Sequence, residues 1–98
     1  MSSQTIEMYN ISEFCNNTKL NHFLNNNGEF ITKNESKEKL TEVYHYKSCT
    51  VVIEEYKLTM ILDVCSDTEE KSKEVFNELE KFILDDISVR KLKKFIIL

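Results

Sequence analysis

A strand with one wholly apolar face runs almost directly into an amphipathic helix, and this succession does most to constrain how the chain can fold. In Lys57 to Val64, the residues Leu58, Met60, Leu62 and Val64 share one face while Thr59 and Asp63 point the other way, which is the period-2 pattern of a strand. Across residues 67–86 the period changes to that of a helix, and Val75, Phe76, Leu79, Phe82 and Ile83 form one stripe. An apolar sheet face and an apolar helix stripe each need a cover, so the helix is expected to lie across the sheet. Burying five such side chains contributes on the order of 10 kcal/mol before conformational entropy is subtracted. Ser66 is placed to cap this helix, with Glu69 three residues on completing a capping box. Asp67, Glu69 and Glu70 put negative charge at the positive end of its dipole.

The rest of the chain supplies the other strands. Gln4 to Tyr9 alternates, with Ile6 and Met8 sharing a face, and Phe30-Ile31-Thr32 reads as a short strand. Glu42 to Lys47 and Thr50 to Tyr56 are rich in Val, Ile, Thr and Tyr, which suit a pleated surface. Turns fall at Lys47-Ser48 and Glu55-Tyr56-Lys57, neither with the Asn-Gly or Asp-Gly of the tightest hairpins. Residues 11–25 suggest a broken helix. Ile11, Phe14, Cys15 and Thr18 take one side and Leu20, Phe23 and Leu24 the other, with the weak helix formers Asn16 and Asn17 at the change. Gly28 is the natural left-handed residue at its end. Ser88 can cap a short helix holding Arg90, Lys91, Lys93 and Lys94, and Phe95 to Leu98 either finishes that helix or forms a terminal strand docked on the core. The expected fold is α+β: an antiparallel meander of three to five strands, a long C-terminal amphipathic helix, and a broken N-terminal helical region packed on it. Residues 1–98 are expected to make one domain.

Composition narrows the function. Apolar residues make up 41 % and charged residues 31 %, a mix too hydrophobic for disorder and too charged for a membrane protein. The net charge of −4 repels nucleic acid phosphate. Cys15, Cys49 and Cys65 are odd in number, widely spaced and free of any C-x-x-C pair, which points to reduced thiols. Together with a start that lacks a signal-peptide pattern, this makes the cytoplasm the expected location. A single glycine cannot build a phosphate loop or a dinucleotide fingerprint, and the cysteines and histidines share no zinc-ligand spacing, so neither cofactor nor metal is expected.

Groups suited to catalysis are few. Cys65 ends the strongest strand just before a helix, where a thiolate is stabilised, but a small apolar residue closing the core is the plainer reading. His45 lies in a strand between Tyr44 and Tyr46, and His22 lies among polar residues; both read as structural or surface groups. The basic run Arg90 to Lys94 is the one phosphate footprint, in an otherwise acidic chain. Acidic surface remains. Residues 67–86 hold eight carboxylates against three lysines, with Glu70, Glu74 and Glu78 at i, i+4 and i+8, while Glu54 and Glu55 crowd one hairpin end. Such an array can dock on a basic protein surface. The expected function is a non-enzymatic, acidic protein-binding inhibitor, most specifically an immunity protein or antitoxin. It would occlude the active site of a basic nuclease toxin through Glu54, Glu55, Glu70, Glu74 and Glu78. A phage-type inhibitor of a bacterial nuclease defence uses the same physics, and a small enzyme using Cys65 or His45 is the alternative from another class.

Overall fold

The structure, a computed structural model, describes residues 3–11, 18–84 and 89–91. Among the described residues six strands, β1 (Ser3–Ile11), β2 (Glu29–Glu35), β3 (Leu40–Tyr46), β4 (Cys49–Glu55), β5 (Thr59–Ser66) and β6 (Val89–Lys91), form one sheet in the order β2-β3-β4-β5-β1-β6. Every pairing is antiparallel. Strands β2 to β5 are the expected meander. β1 adds a fifth long strand against β5, and β6 lies beside β1 with three described residues. The helices α1 (Thr18–Asn27) and α2 (Glu69–Leu84) pack on the same face, giving the expected α+β layering.

The alternation in the sequence becomes alternation in burial. In β5, Met60, Leu62 and Val64 are buried, and Tyr44, Val51 and Ile53 join them from β3 and β4. From α2 come Val75, Phe76, Leu79 and Ile83, and from α1 Leu20 and Leu24. Phe82 is half-buried and stacks on Phe23, with ring centroids 4.6 Å apart. Leu58 departs from expectation. β5 begins at Thr59, so Leu58 sits in the preceding turn and is 57 % exposed.

Local chemistry sets the ends of the elements, in places differently from the sequence reading. α2 starts at Glu69, and its cap is Thr68, whose Oγ1 accepts from the Lys71 N–H at 3.1 Å. Ser66 instead ties the approach, its Oγ donating to the Thr68 carbonyl at 2.7 Å, so the Ser66–Glu69 capping box does not form. Lys47 and Ser48 make a two-residue hairpin loop with φ of 47° and 63°. Both are positive, as a type I′ turn requires, with neither Gly nor Asn present. Gly28 is not left-handed, contrary to expectation. A Cβ there would stand 3.0 Å from the carbonyl oxygens of His45 and Leu24, so close backbone approach is what requires glycine. The edge strand β2 is exposed along its whole length and is bulged between Phe30 and Thr32.

The N-terminal strand runs through Ile11, and the second helical piece is α1. The first helical piece predicted between them lies largely outside the described residues. Val89–Lys91 pairs with β1 as a strand, where a short helix was one expectation. Phe95 to Leu98 lie outside the described residues.

Candidate functional site

Side chains two apart along a strand share a face. In this chain that spacing repeatedly places a glutamate beside a tyrosine. The Tyr44 hydroxyl donates to Glu42 Oε2 at 3.0 Å, Tyr56 to Glu54 Oε2 at 3.2 Å, and Tyr9 lies 3.4 Å from Glu7 Oε2 while donating to Glu80 Oε2 at 2.6 Å. Tyr46 donates across to Glu78 Oε2 on α2 at 2.9 Å. All four tyrosines of the chain therefore serve carboxylates. The Glu-x-Tyr spacing at 7/9, 42/44 and 54/56 is visible in the sequence, although nothing in the sequence analysis singled it out. Burial and then the Glu42 carboxylate push the Tyr44 phenol up to about 12, and burial and then Glu80 raise that of Tyr9 further. These phenols keep their protons and act as fixed donors.

This arrangement divides the five glutamates expected to meet a partner. Glu70 and Glu74 are exposed on α2. Glu78, half-buried, is engaged by Tyr46 and by Lys47 Nζ at 3.1 Å. Glu54 lies on the sheet face away from the helices, bound by Lys39 Nζ at 3.2 Å and by Tyr56. Glu55 is 1 % exposed, because the next residue of a strand must point to the other face, here the helix-covered one. It cannot reach a partner from there, and it leaves the docking set. The five carboxylates do not form one surface, since Glu70 and Glu74 lie on the helix layer and Glu54 on the opposite side of the sheet.

The groups considered for catalysis are also kept apart. Cys65 and His45 share a row of the sheet with Thr50 between them. Two inter-strand spacings put their backbones about 10 Å apart, with Thr50 standing between them. Cys65 is half-buried on the face turned away from the helices rather than in the core, while Cys49, fully buried on the other face, has its thiol raised by that burial. His45 and His22 are exposed. Among the described residues, no three His, Cys, Asp or Glu side chains are grouped to hold a metal ion. An open cleft of about 410 Å³ beside the β2–β3 turn is lined by Glu35, Ser36, Lys37, Glu38 and Lys57, with its charges balanced.

The face of the sheet turned away from α1 and α2 carries Asp63, opposite Ile6 and Val52. Asp63 Oδ2 accepts from Gln4 Nε2 at 2.7 Å, while Asp63 Oδ1 is shut off from water and accepts no hydrogen bond. Burial raises the pKa of this carboxyl against the pull of the Gln4 hydrogen bond.

These features define a two-layer α+β protein in which several carboxylates, Glu7, Glu42, Glu54, Glu78 and Glu80 among them, are held by tyrosines. No family model, curated protein or solved structure matches the chain. No helix among the described residues is long and apolar enough to cross a membrane.

Proposed function

We propose that the chain is a non-enzymatic, acidic protein-binding inhibitor that docks on a basic partner, in its most specific form an immunity protein or antitoxin occluding the nucleic-acid groove of a nuclease toxin in the cytoplasm. The observation that carries this reading is the net charge of −4, offered from a rigid scaffold on which carboxylates such as Glu70 and Glu74 face solvent on α2. Carboxylates on a packed helix lose no further backbone freedom on docking, and they steer a cationic surface into contact. Occlusion requires no turnover, and it is consistent with the separation of Cys65 from His45. A phage-type inhibitor of a nuclease defence would work by the same contacts.

The test is inhibition of a cationic nuclease encoded beside the gene, measured across a salt series. The expected result is stoichiometric inhibition that weakens steeply as salt rises. Inhibition indifferent to salt, or hydrolysis of a substrate by this chain alone, would overturn the reading.

A further inference from the structure

The register of β2 against β3 settles which backbone groups of this edge strand are left over. The Ser36 N–H donates to the Lys39 carbonyl at 2.9 Å, so Ser36 turns its backbone toward β3. The alternation of an antiparallel pair makes Asn34, opposite Thr41, and Thr32, opposite Val43, do the same. Lys33 and Glu35 therefore turn their N–H and C=O groups outward, where β2 ends the sheet and no described strand meets them. All seven residues of β2 are exposed, on both faces, so α1 does not overhang this edge.

The segments outside the described residues are tethered too far away to pair there. Residues 85–88 and 92–98 lie within seven residues of β6, and the outer side of β2 is six strand spacings, about 29 Å, from β6, whereas seven extended residues span at most about 25 Å. Residues 12–17 join Ile11 on β1 to Thr18 with the same reach, and β1 is already about 24 Å from that outer side. The edge is guarded rather than simply open. The bulge between Phe30 and Thr32 disrupts pairing at the start of the strand, and Lys33 puts a charge in its middle. Regular pairing is left to residues 32–35, and a strand added there must answer the charges of Lys33 and Glu35, which share the helix-side face. Neither makes an ion pair among the described residues.

We propose that the outer edge of β2 is a homodimer interface, filled by β2 of a second copy of this chain running antiparallel, with Asn34 opposite Asn34 across a two-fold axis and Lys33 of each copy opposite Glu35 of the other. The charges single out a second copy in this register. The outward-facing residues can be matched in three ways: Lys33 on Lys33, Glu35 on Glu35, or Lys33 on Glu35. The first two oppose like charges, whereas the third forms two opposite-charge pairs and exchanges about four backbone hydrogen bonds. Each copy offers the same edge, so the assembly closes at two. About five paired residues a side fall short of the roughly 20–30 of a stable interface, so the dimer is weak, with Kd on the order of 0.1 mM. The inference is independent of the function proposed above.

Sedimentation velocity from about 10 µM to about 1 mM measures the association, and amide hydrogen exchange over the same range locates it. The dimer fraction should rise with concentration. The amides of Lys33 and Glu35 should gain protection with it, while those of Thr32 and Asn34, already turned to β3, should not. Glu35→Lys and Lys33→Glu should each weaken association about tenfold, since each sets two like-charge pairs in the ladder. The two reversals move the net charge of −4 in opposite directions, so net charge cannot account for both losses. An equimolar mixture of the two variants restores both opposite-charge pairs and should associate as the parent does. Lys33 stands opposite Glu42, so Lys33→Glu can cost stability, but Glu35 stands opposite Leu40, and Glu35→Lys should melt with the parent and carries the test by itself. A chain still monomeric at about 1 mM would overturn the proposal. So would a dimer indifferent to Glu35→Lys, a mixture of folded variants no better associated than either alone, or concentration-dependent protection centred on β6 or α2 instead of Lys33 and Glu35.

Discussion

Tyr44→Phe removes a single oxygen from the middle of the sheet, and its consequences can be worked out from the contacts. Tyr44 is 1 % exposed and Glu42 is 7 % exposed, so water cannot replace the lost donor without opening the helix layer. Glu42 Oε2 accepts from Tyr44 at 3.0 Å, and Oε1 accepts from Asn21 Nδ2 at 3.2 Å. Without the phenol, the buried carboxylate keeps only the longer of these two bonds. A hydrogen bond to a charged group is worth about 1.5–3 kcal/mol, so the variant is expected to lose about 2 kcal/mol at pH 7. For a domain of this length, that lowers Tm by roughly 8–16 °C. The alkaline limb carries the complementary signal. The folded value of about 12 for Tyr44 lies above the ordinary 10, so its contribution is complete below pH 10 and is lost as pH rises toward 12. Two pH units at about 1.4 kcal/mol each put that loss near 3 kcal/mol for this side chain. Urea unfolding of parent and variant between pH 7 and pH 12 measures both effects. The variant should start lower and fall less steeply, and adding Glu42→Gln should shrink the cost of Tyr44→Phe. A Tyr44→Phe protein within 0.5 kcal/mol of the parent at pH 7, with an unchanged alkaline limb, would refute the reasoning.

The remaining predictions follow from single contacts. Ser48→Gly relieves a left-handed residue at φ 63° and should raise stability by about 1 kcal/mol in a thermal melt. Gly28→Ala sets a methyl 3.0 Å from two carbonyl oxygens and should cost about 1–3 kcal/mol, read by the same assay. Leu79→Ala empties a fully buried position between α2 and the sheet and should cost about 2–5 kcal/mol in urea unfolding. Asp63→Asn should stabilise the chain at pH 7 by about 1 kcal/mol. Because burial raises the folded pKa of this carboxyl, the parent is penalised at neutral pH and recovers as pH falls, so the advantage of the variant should vanish in acid.

Much of the architecture was legible because it rests on local period. Leu62 and Val64 alternate with Ile61 and Asp63, and Val75, Phe76, Leu79 and Ile83 recur at helical spacing, and no distant residue is needed to read either pattern. The hairpin at Lys47-Ser48 was placed correctly without its usual glycine, because the strands on either side pointed to it. The element ends were harder to read. Ser66 and Thr68 both suit a cap, and the choice between them depends on where β5 releases the chain. Gly28 looked like a left-handed terminus, yet it is required by the approach of the His45 carbonyl from β3, a neighbour that sequence spacing does not reveal.

The carboxylates mark the boundary between the two kinds of knowledge. The sequence alone determined how many there are, that Glu70 and Glu74 share a helix flank, and that Glu54 and Glu55 point opposite ways. Their accessibility was decided only when β1 joined the far side of β5 and α2 settled over the sheet. That packing sealed Glu55, paired Glu7 and Glu42 with tyrosines, and left Asp63 in an apolar row. Local period depends on bonds along the chain, whereas the cost and reach of a charge depend on what the fold brings within a few ångströms of it, and those neighbours come from strands far away in sequence.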